Sequence, residues 1–279
     1  MRAQHLRPFG LEVRDLALNR LDTHSIKAVR ELICRHRVVV FRNQQMDATG
    51  FADVLMLLGE MMFTDGEIAV DGEPRLNLVT NVGRTRPPRS VFHTDTSYVA
   101  RPPAFTALQA VHVPQKGGAT LFSDQVRVAA KLPAATRAWL ALRSIRHAWL
   151  QPDGTMAKTW HPALRRHAET GETALFLSTP ERCDRISDTD DATGARVIAA
   201  LYQRSIRASE LYRHHWCAGD IVVWDDRLTM HRADHSAVEG ERVFYRGMVL
   251  GEHPVPAQGS CADKQRNHVP ELITTGMMH

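Results

Sequence analysis

VFHTDTSY, residues 91–98, sets His93 and Asp95 two positions apart, with a threonine on each side of the aspartate. In an extended segment residues i and i+2 point to the same side, so this imidazole and this carboxylate can share one ion. Two ligands do not make a site. TMHRADH (229–235) supplies a third candidate, His231, just after the apolar run of GDIVVWDD (219–226). Two histidines and one carboxylate suit iron(II) and leave coordination positions open for other ligands. Zinc hydrolases draw on the same ligand types. Among 15 histidines an HxD also arises by chance, and His161, His214 and His215 fit structural roles equally well.

The flanking sequence describes the scaffold. THSIKAVRELICRH (23–36) starts at a cap-competent Thr23 or Ser25 and places Ile26, Val29, Leu32 and Ile33 on one helical face. VVVFR (38–42) reads as a buried strand, and Asp47 caps a second helix with Phe51, Val54, Leu55 and Leu58 inward. Residues 61–90 read as irregular, with RTRPPRS (84–90) an exposed loop. Beyond the HxD the pattern turns to strands: AFTALQAVHV (104–113), a PQKGG turn (114–118), ATLFSD (119–124), a hairpin around Glu169-Thr170-Gly171, GDIVVWDD, and ERVFYRGMVL (241–250). Helices are expected over 125–142 and 191–208, and residues 255–279 read as a peripheral tail. There is no βαβ alternation and no GxGxxG. The pattern predicts a mainly β chain, a sandwich or jelly roll decorated by helices, in a single domain.

A composition of 43% hydrophobic and 24% charged residues suits a globular core. The net charge of +4 is spread over short groups such as Arg165–Arg166. That favours a small anionic ligand over nucleic acid, which would call for a basic groove with stacking aromatics, and aromatics are only 6% here. Cys34, Cys183, Cys217 and Cys261 lie far apart with no CxxC, as expected for a reducing cytoplasm. MRAQHLRPFG lacks the apolar core of a signal peptide, and no run nears the roughly 18 apolar residues of a membrane span. The expectation is a cytoplasmic protein with neither membrane nor nucleic-acid partner.

ERVFYR (241–246) carries Arg242 and Arg246, which share one face of a strand. Arginine grips a carboxylate through two parallel hydrogen bonds, and an inward arginine needs an anion. Protein carboxylates are the alternative partners: Glu241 or Asp225 for Arg242, Asp234 or Glu239 for Arg246.

With these spacings, the blocks FHTDTSY, PQKGGATLFSD, HPALRRHAETGETALF, GDIVVWDDRLTMHRA and ERVFYRGMVLGE, taken in order over about residues 8–254, resemble the TauD/TfdA (taurine dioxygenase) family of Fe(II)- and 2-oxoglutarate-dependent dioxygenases. The resemblance implies a double-stranded β-helix in which His93, Asp95 and His231 bind Fe(II). It also implies that Thr120 and Arg242 hold the distal carboxylate of 2-oxoglutarate, while Arg246, with Thr96, faces the anionic end of the primary substrate. The implied reaction consumes O2 and 2-oxoglutarate, releases succinate and CO2, and hydroxylates a sulfonate, sulfate, aryloxyacid or amino-acid-like molecule. The implied assembly is a homodimer or homotetramer. Phe92 stands where tryptophan is common in the family, and Asp226 where asparagine is. A metal-holding jelly-roll sensor and a nucleic-acid demethylase of the same iron chemistry are the competing readings.

Overall fold

The computed structural model describes residues 1–64, 66–84 and 90–257. Most of the expected 84–90 loop and nearly all of the expected tail lie outside the described residues. The strands in chain order are β1 Arg2–His5, β2 Leu11–Arg14, β3 Val38–Phe41, β4 Met61–Met62, β5 Ala69–Val70, β6 Glu73–Thr80, β7 Pro103–His112, β8 Thr120–Asp124 and β9 Ser144–Leu150. They continue as β10 Met156–Pro162, β11 Leu164–Arg166, β12 Thr173–Leu175, β13 Cys183–Ile186, β14 Tyr212–His214, β15 Ile221–Asp225, β16 Thr229–Ala233, β17 Val243–Leu250 and β18 Val255–Pro256. The α-helices are α1 Ser25–His36, α2 Ala48–Leu58, α3 Gln125–Ala130, α4 Ala134–Ala141 and α5 Asp191–Ser205.

Nine strands form the major sheet in the order β1-β2-β3-β15-β7-β17-β6-β5, with β4 also paired to β17. The minor sheet is β14-β8-β16. Val38, Val40, Leu108, Val222, Trp224 and Phe244 of the major sheet meet Phe122 and Tyr212 of the minor one in a shared core. Val39, Phe41, Ala107 and Val223 point the other way and are covered by Ile33 of α1 and Phe51 and Leu55 of α2. VVVF is apolar throughout because both faces of β3 are buried. This is the jelly-roll architecture expected from the sequence.

Several boundaries moved for local reasons. Helix α1 begins at Ser25 with no side-chain cap of its own; the Asp22 carboxylate instead accepts the Ser25 N–H at 2.7 Å. Asp47 caps α2 as expected, accepting from Gly50 N–H. The single helix expected over 125–142 is two, because Pro133 cannot continue α3 and instead stands at the N-cap of α4. The described part of 61–90 is not irregular throughout: it contributes β4, β5 and β6, with Leu76 of β6 fully buried. Glu73 and Pro74 at the head of β6 carry the composition of a turn, and this obscures the strand. Strands β9, β10 and β13 form a separate sheet beside the jelly roll.

An ion-pair network ties α1 to the β15–β16 turn and the β11–β12 hairpin. Arg227 is buried and donates from Nε and Nη2 to the two Asp225 oxygens at 2.9 and 2.7 Å, and from Nη1 to Glu169 at 2.8 Å. His167 Nε2 lies 3.1 Å from Asp225, and Arg30 reaches Glu169 at 2.8 Å. Cys34, His167 and Asp225 bring potential ligand atoms within 4.8 Å of one another. Arg227 already supplies the positive charge there, so this cluster is structural. Burial raises the Glu169 carboxyl, but the Arg30 hydrogen bond and the Arg227 charge outweigh it and hold the group at about 2. The same balance holds Asp225 well below the usual carboxylate range. Carboxylates lowered in the folded state stabilise it above their unfolded pKa and lose that contribution as pH falls toward the folded value. Urea midpoints should therefore hold steady down to about pH 4.5 and drop between there and about 2. Arg227→Met should flatten that drop while lowering the midpoint at neutral pH; a variant with the wild-type acid profile would show that the network does not set it.

Candidate active site

The strand pairing of the minor sheet extends past its edge at one point. His93 and His231 exchange both backbone hydrogen bonds, each at 2.9 Å, as an isolated antiparallel bridge. This brings the two rings together, with centroids 4.4 Å apart and planes tilted by 46°. The chain then turns at Asp95 and Thr96, where φ is +40°, and the turn swings the Asp95 carboxylate back between the imidazoles. His93 Nε2 lies 3.4 Å from Asp95 Oδ1, and His231 Nε2 lies 3.7 Å from Oδ2. His93 donates its Nδ1–H to the Val91 carbonyl at 2.9 Å, which leaves the Nε2 lone pair facing the carboxylate. Burial drives His231 down to about 3 against the pull of Asp95, so its ring is neutral. Burial would raise Asp95, but the neighbouring imidazoles of His231 and His93 and the Arg246 guanidinium hold it well below the usual range. An ionised carboxylate and two imidazoles converging on one point fit a divalent cation such as Fe(II).

Arg242 immediately precedes β17, four residues before Arg246. It is buried, its ring-stacking partner is Phe244 at 4.0 Å, and its Nε approaches the Gly118 carbonyl at 3.4 Å. Among the described residues no carboxylate pairs with it; Asp225 is bound by Arg227 and His167. Burial alone lowers its guanidinium to about 10. Gly118 is required beside it: a Cβ there would sit 2.8 Å from the Pro114 ring and 3.4 Å from Arg242 Cδ, at φ +74°. Thr120 is buried and accepts the Trp216 indole N–H at 3.1 Å, and Trp216 packs edge-on against Phe244.

Arg246 is placed on the same inner side of β17, while Tyr245 between them packs outward. Its Nη1 lies 3.8 Å from Asp95 and its Nη2 3.3 Å from Glu67 and 3.4 Å from Asn77 Oδ1. The partners considered from sequence are engaged elsewhere: Asp234 with Arg213 and Glu239 with Lys116. Thr96 is buried, with its hydroxyl 3.1 Å from that of Thr64.

The sequence model of the taurine catabolism dioxygenase TauD, TfdA family matches residues 2–248. The chain belongs to the TauD/TfdA family. It is an Fe(II)- and 2-oxoglutarate-dependent dioxygenase. Its relatives include an alpha-ketoglutarate-dependent sulfate ester dioxygenase of Pseudomonas putida, 28% identical over 92% of this chain and 91% of that protein. An (S)-phenoxypropionate/alpha-ketoglutarate-dioxygenase of Delftia acidovorans is 24% identical over 87% and 92%. Among solved structures, a taurine dioxygenase from Burkholderia xenovorans superposes with a TM-score of 0.82 at 28% identity, covering 93% of this chain and 94% of that one.

Asp226, where the resemblance implies asparagine, sits in a well-defined setting in the fold. Asp226 is buried, and burial first, then the neighbouring Asp95, push it well above the usual carboxylate range, which favours the protonated acid. Its Oδ1 accepts the Trp224 indole N–H at 3.1 Å, and its Oδ2 is hydrogen-bonded to the Thr106 hydroxyl. That hydroxyl donates to Asp95 Oδ2 at 3.0 Å. If protonated, Asp226 would match an asparagine in hydrogen-bonding pattern, with Oδ1 accepting from Trp224 and Oδ2 facing Thr106. No local signal marks Thr106, because its partners lie 11 and 120 residues away. Asp226→Asn should keep turnover close to wild type, whereas Asp226→Ala or Thr106→Val should weaken metal affinity or activity by roughly 10–100-fold. Equal losses in Asp226→Asn and Asp226→Ala would show that the charged form is the one in use.

Proposed function

We propose that the enzyme hydroxylates a small anionic organic substrate, a sulfonate, sulfate ester, aryloxyacid or amino-acid-like molecule. In this reading His93, Asp95 and His231 hold Fe(II), Thr120 and Arg242 receive the distal carboxylate of 2-oxoglutarate, and Arg246 with Thr96 meets the substrate. The observation that carries it is Arg242, a buried guanidinium with no carboxylate partner among the described residues. A dicarboxylate co-substrate supplies the missing anion, and the Thr120 hydroxyl adds a donor beside it. Bound Fe(II) supplies the activation of O2 coupled to decarboxylation of 2-oxoglutarate to succinate and CO2. The chain contributes position: Thr106 keeps Asp95 oriented, the Val91 carbonyl fixes the His93 tautomer, and Arg246 offers the substrate a cation near Asp95 if Glu67, which is 39% exposed, swings away. The names of the Pseudomonas and Delftia relatives, acting on a sulfate ester and a phenoxypropionate, support an anionic substrate.

The reading further takes residues 1–279 as one catalytic domain of a cytoplasmic homodimer or homotetramer with no nucleic-acid or membrane partner. Cys34, Cys183 and Cys217 as free thiols are consistent with that compartment, and no described helix is long and apolar enough to cross a membrane. Succinate release from 2-oxoglutarate under Fe(II) and ascorbate, measured across a panel of sulfonates, alkyl sulfates and aryloxyacids, tests the proposal. Stimulation by at least one anion but not by its uncharged analogue is expected. Stimulation only by neutral compounds would sink it.

A further inference from the structure

Two hollows flank the loop that carries His93 and Asp95, and one side chain, Trp149, lines both. The larger, of 690 Å³, opens beside His93 and is walled by Ala148, Trp149, Leu150, Met156 and Lys158. The smaller, of 280 Å³, is lined by Thr64 and Thr96 and ends against the same Trp149. The indole is held from two sides: the Arg182 guanidinium lies 4.6 Å from its ring centre, and Tyr98 stacks at 6.2 Å with planes 24° apart. Strands β9 and β10 bury Ile145, His147 and His161 on one face, yet Trp149, Leu150 and Met156 at their ends remain 39%, 58% and 53% exposed. Large apolar side chains gathered along a concave wall next to the chemistry are the usual lining of a ligand site, and 690 Å³ lies in the range of drug-sized molecules. A two-carbon sulfonate would leave that wall in water.

We infer that Trp149 sets which substrates the enzyme accepts, and that the substrate is an amphiphile whose aryl or alkyl body lies along Trp149, Leu150 and Met156. The inference rests on the anionic-substrate reading above and adds the apolar half of the molecule. Held by Arg182 and Tyr98, the indole is a fixed wall, so bodies that reach past it are excluded. Removing it joins the hollow beside Thr96 to the cleft beside His93.

The test compares ethyl sulfate, octyl sulfate, phenoxyacetate and naphthyloxyacetate on the iron-loaded wild-type enzyme and on Trp149→Ala, Trp149→Phe and Met156→Trp. Two readouts are used: kcat/KM from succinate release, and the fluorescence change on titrating each probe. Wild type should prefer octyl over ethyl sulfate, and the probe-induced emission change should vanish in Trp149→Phe. Trp149→Ala should raise the naphthyloxyacetate-to-phenoxyacetate ratio of kcat/KM by about tenfold or more, the scale at which a pocket discriminates size. Met156→Trp, at an exposed position that tolerates bulk, should lower the same ratio, and it decides the matter if Trp149→Ala fails to fold. Ratios unchanged within about twofold in an enzyme that turns over the probes would overturn the role of Trp149 alone. A wild-type enzyme that accepts none of the four would overturn this inference, and the anionic-substrate reading falls with it only if the sulfonates and amino-acid-like anions fail as well.

Discussion

Arg242→Met should raise the apparent KM for 2-oxoglutarate by about 30- to 5,000-fold, the equivalent of about 2–5 kcal/mol for truncating one partner of a buried charged pair. The same substitution should not destabilise the protein in the absence of co-substrate. Burial alone lowers the Arg242 guanidinium from 12.5 to about 10, so the folded state disfavours its charge by on the order of 3 kcal/mol at neutral pH. For a base depressed on folding, that penalty is present at every pH below the folded value and is relieved only as pH rises through it. Methionine keeps much of the volume over Phe244 and removes the penalty. Thermal unfolding should therefore show an apoprotein melting point at or above wild type, together with loss of the upward shift that 2-oxoglutarate gives the wild-type protein. A normal co-substrate KM in Arg242→Met would refute the assignment. A sharply lowered apoprotein melting point would instead mean that Arg242 has a structural anion of its own.

The second large effect concerns the proposed metal ligands. His93→Ala, Asp95→Ala and His231→Ala should each abolish detectable 2-oxoglutarate turnover and lower bound iron per chain, with far-UV circular dichroism unchanged. The fold should survive because the His93–His231 bridge is made by backbone groups, which alanine retains at 2.9 Å geometry. The three variants should differ in one respect. Asp95 faces Arg246 at 3.8 Å and accepts from Thr106, so removing it leaves a part-buried cation with Glu67 as its remaining carboxylate. Asp95→Ala should accordingly melt lower than either histidine variant. Iron retention and activity in all three would show that the cation binds elsewhere.

The sequence by itself determined whatever is written in short-range order. The two-residue spacing of His93 and Asp95, the alternation that puts Arg242, Phe244 and Arg246 on one face, the helical stripe of α1 and the Asp47 cap all depend on neighbours within a few positions. So they were legible without coordinates, as was the continuous apolar run of β3 that signals burial on both faces. The resemblance to a known family then joined His231 to a pair more than a hundred residues away, which no local period could do. Only the tertiary structure decided the rest. Strand β6, headed by Glu73 and Pro74, exists because β17 pairs with it. Arg246 meets Glu67 rather than Asp234 or Glu239, because cross-strand position and not chain distance sets its neighbours. The Asp226 carboxyl is pushed well above its usual range by burial beside Asp95, and Trp149 becomes a wall because Arg182 and Tyr98, from two other segments, close on it. Charge state and cavity shape are properties of the space between segments, and that space is defined once the sheets have paired.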